Sequence, residues 1–304
     1  MPTRIVVPQA YDVVGLGVAT LDFIGVADGE PRLGIKQPLA HWIEAGGGPV
    51  ATALVTLARL GMRVYMAGAV GDDMYGQRII TELAQEGVCV DGFQVRPGSS
   101  HIAFALAEPG SGRRTIWWHN DPSVFEGVTL SREIVTSARL LHLDTNMPDV
   151  ALTAARWMQE ADGLVMIDAE RFKESTLALL PYCDLMIVSE RFGREISGEA
   201  APDAAARFLH ARYGGVAIVT AGEHGSWCVG PDEAFHTPAF TVDVHDTTGA
   251  GDVFHGGFIY GLLQGWSLRE TARFAGATAA LKCRAFGGRA GIPSLEEING
   301  LLAG

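Results

Sequence analysis

The sequence predicts an α/β fold: a mostly parallel sheet flanked by helices, with a small antiparallel β lid. Three observations carry that expectation. Short runs rich in Val, Ile and Leu alternate with stretches of helical periodicity along most of the chain, the pattern of repeated strand–helix units. Two stretches, 23–45 and 100–118, break the rhythm with strand-like pieces that have no helix between them. A hydrophobic content of 48% over 304 residues, with 38 Gly and 14 Pro, supports a large core and excludes a disordered chain or a fibrous repeat.

The elements follow in order. Asp12–Val18 is an apolar run of strand length, and Phe23–Val26 begins the lid. Pro49–Leu60 reads as a helix with Pro in its first turn behind three glycines. Arg63–Val70 is the next strand and Tyr75–Gln85 the next helix. His101–Ala107 and Thr115–Trp118 are lid strands, and Glu108–Arg113 (EPGSGR) between them has the composition of a hairpin turn. Arg139–Leu143, Leu164–Asp168, Leu185–Val188 and Gly215–Thr220 are further strands, interleaved with helices at Val150–Glu160 and Ala204–Arg212. The polar–apolar alternation Phe240–Val244 precedes the apolar helix Gly249–Leu263, and Ser267–Leu281 is the last predicted helix. With no internal repeat, low-complexity segment or linker, residues 1–304 are expected to form one domain carrying the lid.

Charge and cysteine usage narrow the function classes. A net charge of −12 repels phosphate backbones and anionic lipid, so neither nucleic acid nor a membrane is an expected partner. Positive charge is almost all arginine, because the lysines are Lys36, Lys173 and Lys282 alone. The four cysteines (Cys89, Cys183, Cys228, Cys283) form no C-x-x-C pair, which fits buried free thiols rather than disulfides or zinc. Met1–Ala10 lacks a basic stretch followed by an apolar one, and the uncharged run Val253–Leu268 is too polar to span a bilayer. A soluble cytoplasmic protein is expected.

Two common nucleotide motifs are missing. Gly15-Leu16-Gly17-Val18-Ala19-Thr20 lacks the third glycine of a dinucleotide fingerprint, and no lysine follows a glycine as a P-loop requires. The strongest local signal is Asp246-Thr247-Thr248-Gly249-Ala250-Gly251-Asp252, directly before an apolar helix. A helix start leaves N–H groups unpaired at the positive end of the dipole, and glycines let a ligand approach the backbone closely. The result is an anion hole built without lysine. Asp252, in the first turn, is placed to take a proton from an attacking hydroxyl while the amides stabilise a transferring phosphoryl group. A capping Asp behind a glycine turn is the plainer alternative.

This heptapeptide, with the glycine-rich helix start near residue 47, resembles the ribokinase-like (PfkB) carbohydrate kinase family, whose signature is D-T-x-G-A-G-D. The resemblance continues in family order through Gly15, Gly17 and Asp22, Gly46–Gly61, Val70–Gly76, Thr220–Gly225 and Gly287–Pro293. It implies a ribokinase-like fold and ATP-dependent transfer of the γ-phosphoryl group to a primary hydroxyl of a small sugar or sugar derivative. Under that resemblance Asp252 matches the catalytic base, and Gly249, Ala250 and Gly251 match the anion hole. Asp22, Gly47, Gly48 and Asp144 match positions that hold substrate hydroxyls, and Thr52 stands where many members have a sugar-contacting Asn. Thr220, Gly222 and Gly225 match the turn lining the ATP site. Asp246 matches a residue associated in many members with a monovalent-cation site, so the implied cofactors are ATP, Mg2+ and K+. Ser189-Glu190-Arg191-Phe192 falls where the family shows N-x-x-E, which leaves Glu190 as the nearby carboxylate to influence magnesium.

Within the family, G-G-G-P-V-A-T-A, D-V-F-H-G and A-L-K-C followed by G-G-R-A-G-I-P are most similar to the sulfofructose kinase branch. Lys36 falls where that branch uses a lysine toward the sulfonate, whereas Trp118 and Asn146 stand where it uses Asn and Arg. Loss of the arginine removes a charge-assisted contact worth roughly 1.5–3 kcal/mol, which argues against sulfofructose itself. Trp117 and Trp118, with His119 and Asn120, suit stacking on a sugar or nucleobase, or packing of lid on core or lid on lid. Packing is favoured, and exposed lid strands point to a homodimer through the lid. Arg113 and Arg114 are expected to be solvated, and His255 either assists near the phosphates or is satisfied by packing. The alternatives are a nucleoside kinase of the same fold and a catalytically silent sugar-binding regulatory relative.

Overall fold

A computed structural model describes residues 10–27, 29–30, 32, 34–107 and 114–304. In chain order the elements are β1 (Tyr11–Leu16), β2 (Thr20–Ala27), β3 (Leu39–Gly47), α1 (Pro49–Arg59), β4 (Val64–Gly71), α2 (Met74–Gln85), β5 (Cys89–Arg96), β6 (Ile102–Ala107), β7 (Arg114–His119), α3 (Pro122–Phe125) and α4 (Arg132–Thr136). They continue with β8 (Ala138–Leu143), α5 (Pro148–Glu160), β9 (Leu164–Ala169), β10 (Leu185–Ser189), α6 (Glu190–Ser197), α7 (Pro202–Tyr213), β11 (Val216–Thr220), β12 (Ser226–Val229), β13 (Ala234–Thr237), α8 (Ala250–Leu263), α9 (Leu268–Lys282) and α10 (Leu295–Ala303).

The main sheet has the order β13-β12-β11-β10-β9-β8-β1-β4-β5. Every pairing from β11 to β5 is parallel, and β12 and β13 add an antiparallel edge. Strands buried on both faces read as continuous Val/Ile/Leu runs, which is why these were legible. Three strands of this sheet were not predicted. β5 (CVDGFQVR) lies at the sheet edge with no fully buried residue, so it carries no apolar run. β12 and β13 are four residues each at the opposite edge. The alternating stretch Phe240–Val244 forms no strand, since nothing in either sheet pairs with it.

The second sheet, β3-β2-β6-β7, is the lid. Its outer pairings are antiparallel, while β2 and β6 run parallel because separate segments of the chain supply them. β3 was not predicted and is solvent-facing over most of its length. The Glu108–Arg113 turn and Met1–Gln9 lie outside the described residues.

Packing fixes where the site forms. Helix α8 is apolar on nearly all sides, and it is wedged between α1 and α9. A Cβ on Gly256 would come within 2.6 Å of the Thr56 side chain, and one on Gly257 within 3.0 Å of the Ala275 backbone. These glycines let three helices approach closely and leave α8 little freedom to move. Its N-terminus is therefore held at one place beside the strand ends. All four cysteines are free, three of them buried. Among the described residues no helix is long and apolar enough to cross a membrane.

Candidate active site

The first turn of α8 begins at Gly249, whose φ is +76°, a conformation that a side chain disfavours. A Cβ there would also lie 2.9 Å from the backbone of Gly288, so the loops 246–249 and 283–288 are in contact. Asp246 ties them. Its Oδ1 accepts from the Thr248 amide (2.9 Å) and hydroxyl (2.7 Å), and its Oδ2 from the Gly287 amide (2.8 Å). Burial opposes its ionisation, but the Thr248 amide and the Lys282 ammonium hold its carboxyl below the usual range.

A cavity of about 490 Å³ opens on one side of this turn, lined by Thr220, Gly222, Gly225, Thr247, Ala250 and Gly251 among others. A Cβ on Gly251 or Gly222 would meet nothing within 4 Å, so both backbones face open space. The cavity is of a size to hold a small ligand, and the N-terminus of α8 forms part of its wall.

Asp252 is half-buried on the first turn of α8. Burial and the neighbouring Asp168 carboxylate push its pKa up to about 7, against the pull of His255. Asp168, at the end of β9, is raised to about 8 by burial and by Asp144 and Glu170. His255 lies between these carboxylates and the core: Nδ1 faces Gly251 O at 2.7 Å, Nε2 faces Ile187 O at 3.2 Å, and Asp168 Oδ2 is 3.6 Å from Nδ1. Both carbonyls are satisfied together only by a doubly protonated ring, whereas burial pushes its pKa down. His142 stacks on it at 5.5 Å, fully buried, and burial together with the neighbouring His255 ring pushes its pKa well down. Both ring nitrogens of His255 thus face main-chain carbonyls beneath the first turn of α8.

The other side of the turn gathers the residues assigned to sugar. Asp22 is buried; Oδ1 accepts from Thr20 Oγ1 at 2.7 Å, and the carboxylate packs over Gly47. Gly48, at φ +94°, brings the chain against the Val18 carbonyl and opens α1. Asp144 uses both oxygens on backbone, accepting from Val18 N (2.7 Å) and Asn146 N (2.8 Å). Burial raises Asp22 and Asp144 alike. Thr52 Oγ1 is buried without a hydrogen-bond partner.

The chain as a whole has counterparts among known proteins. The sequence profile described as pfkB family carbohydrate kinase matches residues 11–295. The chain belongs to the pfkB family of carbohydrate kinases. It is 27% identical to a ribokinase of Bacillus subtilis over 95% of this chain and 98% of that one, and 23% identical to a nucleoside kinase of Methanothermobacter thermautotrophicus over 94% of each. A crystal structure of a ribokinase-like protein from Agrobacterium tumefaciens superposes with a TM-score of 0.92 at 28% identity, covering 96% of this chain and 97% of that one. This pfkB kinase is an ATP-dependent sugar kinase.

Several other residues assigned by resemblance are exposed to solvent. Lys36 is exposed on the segment between β2 and β3, and Trp118 is 63% exposed on β7. Asn146 is exposed and accepts from Lys173 Nζ at 3.2 Å through Oδ1. Glu190 lies half-buried in the first turn of α6, while Phe192 is fully buried against Phe172 and serves the core. Arg114 is not simply solvated, since its guanidinium donates to the Thr247 hydroxyl. Sequence reasoning missed Asp168, His142 and Arg289. Arg289 is 5% exposed and donates from Nη2 to Gly47 O at 2.7 Å; burial lowers its pKa to about 10, against the pull of Asp22. It stood in view within the quoted G-G-R-A-G-I-P, but an arginine beside glycines reads as surface loop.

Proposed function

We propose that this kinase transfers the γ-phosphoryl group of ATP to a primary hydroxyl of a small sugar or sugar derivative, with Asp252 as the base. The observation that carries the reading is the position of Asp252: on the first turn of α8, next to Gly251 in the cavity wall and within electrostatic reach of Asp22. ATP supplies the phosphoryl group and carries Mg2+ on its phosphates and water. Among the described residues no three His, Cys, Asp or Glu are arranged to hold a metal, so Glu190 would act on magnesium through water. The amides of 249–252 bind phosphate, Asp22 and Asp144 position the sugar, and Asp252 takes the hydroxyl proton. Identification of the phosphorylated carbon by NMR tests it: a primary phosphate ester is expected, and phosphate on a ring hydroxyl contradicts it.

Because the base must be ionised, its raised pKa sets the pH dependence. kcat/KM is expected to rise with pH and level off above about 7, and a profile flat between pH 5 and 8 would remove Asp252 from the role. The orphaned Thr52 hydroxyl suits a substrate hydroxyl. Thr52→Val is expected to raise the sugar KM about tenfold with little change in kcat or Tm, in steady-state kinetics and a thermal melt.

The anionic-sugar reading of the sulfofructose branch draws support from Lys173, which brings an ammonium to Asn146, where the branch has its arginine. Sulfonated and carboxylated ketoses therefore belong in any substrate panel. We also propose that two copies pair through the lid. Trp42, Phe104 and Trp117 form an aromatic row across β3, β6 and β7 with centroids 6.3 and 5.9 Å apart, and Trp42 and Trp117 are each more than half exposed. A row of that size asks for a cover. Sedimentation is expected to give a dimer that Trp117→Glu converts to monomer.

A further inference from the structure

Lys282 is fully buried in the last turn of α9, where a lone ammonium is costly without partners. Its Nζ donates to the Asp246 carbonyl oxygen at 3.0 Å. Asp246 Oδ1 already accepts from Thr248 and Oδ2 from Gly287, so every oxygen of Asp246 has a donor. The main-chain amides of His245 and Asp246 both donate to Cys283 O, at 2.8 and 3.1 Å, which places Lys282 where the loop after α9 meets the loop before α8. Burial pushes its pKa down, Asp246 and Asp252 pull it up, and Arg114 opposes them.

A monovalent metal ion at Asp246, which the family resemblance implied, does not fit this arrangement. The acceptors it would use are taken, and it would lie against a buried charge of the same sign. We propose that the Lys282 ammonium is a tethered replacement for that ion: it neutralises Asp246 and holds the 246–249 loop against 283–288, so that the anion hole forms without K+. Lys282 is a positioning residue, acting through the loop and not on the substrate. The inference rests on nucleotide binding at α8.

Calorimetry of Mg-ATP binding to the full chain tests it, with K+, Na+ or N-methylglucamine as the sole monovalent cation. Dissociation constants within about twofold in all three are expected, and a tightening of about fivefold or more in K+ overturns the proposal. Lys282→Met keeps the stem and removes the charge; it is expected to weaken binding about tenfold. Lys282→Ala also opens space, so K+ but not N-methylglucamine is expected to restore most of the loss. Loss in both variants that no cation restores shows a packing role only and overturns the proposal. Should either variant fail to fold, the salt series on the parent protein still decides. Rubidium-soaked crystals give a second readout independent of nucleotide: no anomalous peak beside Asp246 in the parent protein is expected, and a peak there contradicts the proposal. Absence of ATP binding in every buffer would overturn the nucleotide site itself, and the rubidium map then decides the cation question alone.

Discussion

Asp252→Asn is expected to lower kcat by about three orders of magnitude, roughly 4 kcal/mol of barrier, while leaving ATP affinity within a few fold. Asn keeps the shape of the side chain and removes the acceptor of the proton. The anion hole is backbone and stays in place, so ATP should still bind by calorimetry. A kcat within tenfold of the parent would exclude Asp252 as the base. Stability should move the other way. A carboxyl with a raised folded pKa binds its proton more tightly in the native state, so its stabilising effect is full below the unfolded value and is lost as pH rises toward about 7. At pH 8 the buried Asp252 charge works against the fold, and the Asn variant is expected to melt at or above the parent temperature. At pH 4 that advantage should vanish.

Gly249→Ala is the second large effect. The new Cβ meets two obstacles at once, a φ of +76° and the Gly288 backbone at 2.9 Å. Backbone cannot step aside as the end of a flexible side chain does, so the loop must move, and the amides of 249–252 lose their aim. A drop in kcat/KM of about a hundredfold is expected, with a fall in Tm of a few degrees for roughly 1–3 kcal/mol of strain. Gly251→Ala is the control. Its Cβ would enter open space, so the fold should be untouched and ATP affinity alone should weaken. Equal melting temperatures for all three proteins would show that the 249–288 contact carries no strain.

The legible parts of the fold were those where burial writes itself into the residue order. The doubly buried strands β1, β4, β8, β9, β10 and β11 show as Val/Ile/Leu runs, and α8 as an apolar helix behind a glycine turn. The edge strands β5 and β13 carry mixed polarity because a face or an edge meets solvent, and β12, mostly buried between β11 and β13, is only four residues long and shows no run. The same rule explains the site. Asp252, the glycines 249 and 251, and the turn at 220–225 sit in contiguous motifs, so local sequence is enough to find them. Asp168, Arg289 and Lys282 act across 36 to 242 positions of chain or beside partners brought by packing, and no local spacing announces them. Lys282 shares a helix face with Thr271, Ala275 and Thr278, all small, a faint sign of burial that a charged residue at a helix end normally hides.

The most direct test of the central claim is ADP release with Mg-ATP across ketoses, aldoses, sugar acids, a sulfonated ketose, sugar phosphates and nucleosides, with Asp252→Asn run beside the parent protein. Strong turnover of one sugar, lost by about three orders of magnitude in the variant, is the predicted result. Turnover confined to nucleosides, or a sugar turned over equally well by the variant, would contradict it.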